Sequence, residues 1–297
     1  MHRFDKKKTS QALGGEEVKL LRFGAIGHER PGILGPEGEI RDLTGVVEDI
    51  AGDVLSDSSL DRLRGIDPCT LPAAPADHRI GPPVGQVPKF IAIGRNYADH
   101  AKETGSDIPD EPILFTKATS CISGPNDDVV LPSSASKGDW EVELALVIGK
   151  RAQDIAESEA LDHIAGYCVC NDVSERGMQF EGTGQWLKGK SRDSWGPLGP
   201  WLVTQDEVPD PQRLELWLEL NGERHQSGNT SNMIFPVATL VSFISHHMTL
   251  HPGDVVTTGT PDGVGMGHNP PRFLRAGDEL RLGIEGLGEQ RQMVVVR

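Results

Sequence analysis

Apolar and polar residues alternate over short distances along most of this chain, a pattern that predicts strands far more often than helices. Residues 19–23 and 39–43 read as strands, with a Gly-Pro-Glu-Gly turn at 35–38 between them. From residue 89 strand-like runs dominate: 89–94, 112–117, 140–149, 164–172, 199–203, 214–221, 254–258, 279–285 and 290–297. Turns such as Asn221-Gly222, Pro252-Gly253-Asp254 and Ala276-Gly277-Asp278 separate several of them. Helical spacing is clearest at 237–248, where Val237, Leu240, Val241 and Ile244 form one stripe, and a second helix is expected at 155–163. The proline-rich stretch 72–88 lacks periodicity and marks a linker. It divides a small β-rich unit, 18–71, from a main unit, 89–297. Residues 1–17 are basic, then polar, and read as a disordered leader rather than a signal peptide. The expected fold class is mainly β with a few helices, a closed or rolled sheet rather than alternating β-α-β units.

Within this pattern the run Asp139-Trp-Glu-Val-Glu-Leu-Ala-Leu-Val-Ile-Gly149 stands apart, because it sets two acids into an apolar strand. Side chains two apart on a strand share a face, so Glu141 and Glu143 point the same way. Two carboxylates on a half-buried face repel and lose hydration unless a cation lies between them. Carboxylate oxygens suit Mg²⁺, Mn²⁺ or Ca²⁺. Asp172 ends a second apolar run, 164–172, and is placed to join them as a third ligand.

Composition narrows the functional classes. The chain has 29 Lys and Arg against 44 Asp and Glu, a formal charge of −15, which argues against nucleic acid and anionic membranes as partners. No apolar run reaches the roughly 18 residues of a membrane span. Four cysteines and no secretion signal suggest a reduced, cytoplasmic protein. Cys168 and Cys170 read as small buried hydrophobes, and His246-His247 as structural or surface histidines. The glycines at 258–267 lack the Lys-Ser or Lys-Thr of a phosphate loop, and neither G-x-S-x-G nor H-E-x-x-H occurs.

Five motifs then occur in order: Gly94-Arg-Asn-Tyr-Ala-Asp-His-Ala-Lys-Glu103, Glu141-x-Glu143, Asn171-Asp-Val-Ser-x-Arg176, Lys188-Gly-Lys-Ser191 and Thr258-Gly-Thr-Pro-x-Gly-Val-Gly265. Together they resemble the fumarylacetoacetate hydrolase superfamily, from about residue 89 to the end. The resemblance implies a mixed β-sandwich roll, a homodimer, one Mg²⁺ or Mn²⁺ per subunit, and action on small anionic 2-oxo acids, most often C–C bond hydrolysis. It assigns Glu141, Glu143 and Asp172 as metal ligands, His100 and Glu103 as a water-activating dyad on a mobile segment, and Lys190 as the active-site lysine. It places Arg176, Gln179 and Thr260 near the substrate's metal-bound end, with Arg95 and Tyr97 as further substrate-binding residues. The larger fumarylacetoacetases have an additional acidic ligand that finds no counterpart here, which favours the smaller, acylpyruvase-like branch. Stretches 139–143, 189–193 and 270–278 are similar to bacterial hydrolases of 2,4-dioxo-3-deoxy-L-rhamnonate and its L-fuconate analogue, whose products from the rhamnose compound would be pyruvate and L-lactate.

The chemistry can be argued from the residues as well. Cleaving C3–C4 of a 2,4-dioxo acid needs stabilisation of the departing carbanion, which a divalent ion supplies through the 1-carboxylate and 2-oxo oxygen. It needs a base for the attacking water, and His100 oriented by Glu103 is suitable, since positions three apart on a helix are neighbours. It needs a donor for the C4 oxyanion, such as Lys190. Lys188, Lys190 and Arg192 would share a face if extended, and with Arg95, Lys117 and Arg176 would form a basic cleft in an acidic shell. Asn96 and Ser194, with Arg95, are candidates to meet a hydroxylated tail. Rival readings are acylpyruvate hydrolysis, oxaloacetate decarboxylation, 2-oxo-4-enoate hydration, ureidoglycolate lysis and metal binding without catalysis.

Overall fold

The computed structural model describes residues 18–75, 78–103, 105 and 107–297; the expected leader, 1–17, lies outside them. Two sheets carry the architecture. The larger runs Ile40–Asp42, Arg30–Leu34, Lys19–Phe23, Gly196–Thr204, Ile164–Asn171, Val142–Ile148, Val255–Thr257, Phe90–Gly94 and Ile113–Lys117, with Ile122–Ser123 paired to Gly196–Thr204. The smaller runs Glu223–Asn229, Glu215–Leu220, Glu279–Ile284, Gly288–Val296 and Val129–Leu131. Their facing sides share one core, in which Leu144, Leu146 and Ile148 meet Leu216, Leu218, Leu280 and Leu282. The result is a rolled sandwich, mainly β as the alternation predicts. The α-helices among the described residues are Asp57–Arg64, Ala98–Glu103, Arg176–Phe180 and Val237–His247. None is long and apolar enough to cross a membrane.

The strand Val142–Ile148 is buried on both faces, which explains its unbroken apolar run. Its other face carries Ala145 and Val147 against Leu55, Leu60, Cys168 and Cys170. Glu141 and Glu143 continue that odd-numbered row to the end of the strand. All four cysteines are free; Cys168 and Cys170 are small core residues, and burial pushes the Cys168 thiol up to about 12.

Several expectations change. The 18–71 unit contributes its three strands to the edge of the larger sheet, where Lys19 and Leu20 pair with Val203 and Leu202, and so builds no sheet of its own. The linker is tied to it by bridges from Arg41 to Ala73 and from Phe23 to Ile80. The helix expected at 155–163 is a 3₁₀ turn, Glu157–His163, that runs directly into the strand Ile164–Asn171. Two unexpected strands have poor strand chemistry. Arg30–Leu34 contains Pro31 and Gly32, and Glu223–Asn229 is a polar edge whose one fully buried side chain is Gln226.

Candidate metal centre and active site

Strand register assembles the carboxylates. Val142–Ile148 and Ile164–Asn171 pair antiparallel, with Cys170 opposite Glu143 and Asn171 opposite Val142. Asp172, one step further, donates its backbone N–H to Glu141 O at 2.9 Å. Cross-strand neighbours lie about 5 Å apart at Cβ, and ligand oxygens of Glu141, Glu143 and Asp172 fall within 4.8 Å of one another, all three side chains being buried. The backbone under Glu141 is fixed by Asn171, whose Oδ1 accepts from Glu141 N at 3.2 Å and whose amide donates to Gln292 Oε1 at 3.1 Å.

Fixed cations surround the triad. Lys190 Nζ lies 2.7 Å from Glu141 Oε2 and 2.8 Å from Asp172 Oδ2. Lys117, fully buried, holds Asp172 Oδ1 and donates to Trp195 O at 3.0 Å. Arg176 lies 2.7 Å from both Glu141 Oε1 and Asp139 Oδ2, and donates to Gln179 Oε1 at 3.0 Å. Asp139 also accepts from Gly265 N and Met266 N at 2.6 and 3.0 Å, so it ties the 258–267 loop to the strand end. Burial works against ionised Glu141, but Lys190, Arg176 and His100 outweigh it and hold its carboxyl well below the usual range. Glu143 goes the other way: burial, then the charges of Asp172 and Glu141, push it far up. Among the described residues its one hydrogen bond is from Gly259 N, at 2.9 Å. Four buried carboxylates thus face three cations, with Glu143 left uncompensated. These residues fit a divalent ion: hard oxygen donors, close together, and one charge short of balance.

The dyad stands over this cluster. His100 is buried on the helix Ala98–Glu103, and its Nδ1 faces Glu103 Oε2 at 3.4 Å, a long contact. Glu103 Oε1 accepts from Gly263 N at 3.0 Å, which anchors the helix to the glycine loop. His100, Glu141, Glu143, Arg176, Gln179, Lys190, Thr260 and Arg95 line one cavity of about 230 Å³. Thr260 donates its hydroxyl to Val142 O at 2.9 Å and accepts from Gln226 Nε2 at 2.8 Å, so its proton is spent on the fold. Tyr97 is not among the lining residues; its ring lies in the core, and burial and Glu143's charge push up its hydroxyl, which has no hydrogen-bond partner among the described residues.

Three expectations about polar side chains do not survive. Lys188, Lys190 and Arg192 do not share an extended face, because Trp186–Gly189 is a 3₁₀ turn that buries Lys190 and leaves the other two exposed. Asn96 is consumed by Phe235 and Thr258, through bonds of 2.8–3.0 Å. Ser194 accepts from Val130 N at 2.8 Å and lies outside the cavity lining. Sequence reasoning overlooked Asp139 as a site residue and the apolar wall formed by Ile93, Phe115, Phe180, Trp186 and Met266. Asp139's place directly before Glu141-x-Glu143 was the available signal; the wall had none.

A rolled sandwich that gathers a buried carboxylate triad, a buried lysine and a His–Glu pair beside one cavity has the arrangement of an enzyme site suited to a divalent ion. The family description "Fumarylacetoacetate (FAA) hydrolase C-terminal" matches residues 89–295, and the chain belongs to the fumarylacetoacetate hydrolase family. A Burkholderia cenocepacia (strain HI2424) protein, named only as a candidate hydrolase, is 62% identical over 276 residues, covering 93% of this chain and 98% of its own. The fumarylacetoacetate hydrolase of Exiguobacterium antarcticum superposes with a TM-score of 0.83 at 36% identity, covering 94% of this chain and 100% of that one. The maleylpyruvate hydrolase of Sphingobium sp. SYK-6, solved with manganese(II) and pyruvate, gives 0.78 at 30% identity, covering 94% and 99%.

Proposed function

We propose that this protein hydrolyses the C3–C4 bond of a 2,4-dioxo acid and releases pyruvate. The observation that carries the reading is that His100, paired with Glu103 behind it, shares one small cavity with Glu141 and Glu143 of the three-carboxylate cluster. A divalent ion, Mg²⁺ or Mn²⁺ at one per subunit, held by Glu141, Glu143 and Asp172, would stabilise the negative charge left as the bond breaks. Arg176 Nη2, buried and unpartnered among the described residues, is the donor available to the 1-carboxylate, with Gln179 beside it. Lys190 brings a fixed positive charge to the developing C4 oxyanion. Since His100 Nδ1 faces Glu103, the water's proton passes to Nε2, and Glu103 stabilises the charged ring. Hydroxide adds at C4, C3 takes up a proton, and the products are a carboxylic acid and pyruvate. The pyruvate and manganese bound by the Sphingobium relative support this reading. Decarboxylation of oxaloacetate needs no attacking water and would leave the dyad without a task. A homodimer in the cytoplasm, with its thiols reduced, is the setting we propose.

A sugar-acid tail receives less support than the dioxo head, because Asn96 and Ser194, the residues expected beside its hydroxyls, are occupied elsewhere. The test is pyruvate release from acylpyruvates in Mg²⁺, in Mn²⁺ and in chelator. Turnover with metal that chelator abolishes is expected; no turnover with either ion, or equal turnover in chelator, sinks the reading.

A further inference from the structure

We propose that Asp139 is a positioning residue: its one carboxylate holds the head-group arginine, Arg176, and the loop that seats the His100–Glu103 dyad in a fixed relation to each other. This rests on the reading of the cavity as a 2,4-dioxo acid site. Asp139 is fully buried and lies outside the cavity lining, so it faces neither solvent nor the cavity. Both of its oxygens are saturated. Oδ1 accepts from Trp140 N at 2.8 Å and Gly265 N at 2.6 Å, and Oδ2 accepts from Arg176 Nε at 2.7 Å and Met266 N at 3.0 Å. Any carboxylate taken out of water needs donors. What sets this one apart is where its partners lead.

Arg176 leads to the head of the substrate. Its Nε is held by Asp139, and its Nη1 by Glu141 Oε1 at 2.7 Å and Gln179 Oε1 at 3.0 Å. A guanidinium is planar, so fixing two of its nitrogens fixes the third. That third, Nη2, is the one without a partner among the described residues. The amides of Gly265 and Met266 lead to the base. They open the 3₁₀ turn Gly265–Gly267, and Gly263, two residues before it, donates to Glu103 Oε1 at 3.0 Å. A Cβ on Gly267 would come within 2.4 Å of that same oxygen, so the Glu103 carboxyl is packed on the turn itself. Glu103 in turn faces His100 Nδ1. The same carboxylate therefore sets the direction of Nη2 and the seat of the base, and a shift of about 1 Å in either would misalign the attacking water and C4.

The experiment measures kcat and KM for acetylpyruvate with saturating Mg²⁺ in the wild type, Asp139→Asn, His100→Ala and the double variant. Because each oxygen of Asp139 accepts from two donors, the asparagine amide would face two N–H groups whichever way it turned. Asp139→Asn is expected to lower kcat about 10- to 100-fold, the usual cost of losing an orienting partner, and to raise KM about 10-fold, one hydrogen bond's worth at Arg176. In the His100→Ala background the rise in KM should remain while kcat falls no further, since the base through which Asp139 acts is already gone. A role in folding alone would cut kcat equally in both backgrounds. Equal kcat losses, an unchanged KM, or wild-type rates in Asp139→Asn would each overturn the proposal. If Asp139→Asn does not fold, Asp139→Ser, shorter and with a single acceptor oxygen, takes its place; failure of both to fold would make Asp139 a folding residue and overturn the proposal as well. No turnover of acetylpyruvate by the wild type would overturn the reading of the cavity itself, and this proposal with it.

Discussion

Glu143 carries the least compensated charge of the site. Glu141 has Lys190 and Arg176, Asp172 has Lys117 and Lys190, and Glu143 has one backbone N–H. Glu143→Gln keeps the shape and removes that charge. We expect activity to fall about 10²- to 10³-fold, as when a charge-stabilising group is lost, and Mg²⁺ binding by titration calorimetry to weaken. Metal-free thermal stability should hold, because the amide replaces a carboxyl that burial and the charges of Asp172 and Glu141 already drive toward its neutral form. Unchanged Mg²⁺ affinity would take Glu143 out of the ligand set. At this scale the sequence was partly legible. The shared face of Glu141 and Glu143 follows from strand alternation, but the pairing of Lys117 with Asp172, 55 positions away, leaves no local pattern.

The helix Ala98–Glu103 carries His100, the general base of the proposed mechanism, to the carboxylate cluster, and it is short. It is six residues long, and Ala101 N to Tyr97 O, at 3.0 Å, is the hydrogen bond at its start. Short isolated helices are unstable in water, so its persistence depends on docking. Glu103 on Gly263 N and buried His100 supply that. Amides in 98–103 should therefore exchange readily in the apoenzyme and slow when Mg²⁺ and oxalate are added together. Equal exchange in both conditions would show that the element does not act as a lid. The dyad's spacing made this helix readable from sequence despite its weak periodicity. The 3₁₀ turn Trp186–Gly189 was not readable, because three alternating basic residues look like an extended strand until one of them is buried.

Across the whole molecule, the net acidic charge and the three cations buried in the site belong together. On the proposed reading, a chain at −15 would draw in an anionic substrate by fixing Lys117, Lys190 and Arg176 among the site carboxylates, where a divalent ion would tip the balance toward attraction. The rolled sheet puts the ends of the strands Val142–Ile148 and Ile164–Asn171 beside the glycine loop, so ligands, lysine and dyad converge from distant segments. Fold class, and the gathering of Glu141, Glu143, Asp172, His100 and Lys190 in one place, were legible because they rest on local alternation and ordered motifs. The joining of residues 18–71 to the large sheet, and the aromatic wall, were not, because long-range pairing leaves no local trace. The central claim, that His100 activates water for a metal-held dioxo acid, is tested most directly by the rate of acetylpyruvate cleavage in His100→Ala, with Mg²⁺ affinity measured on the same preparation. Hydrolysis should drop about 10²- to 10⁴-fold while Mg²⁺ affinity stays at the wild-type value; hydrolysis at close to the wild-type rate would contradict it.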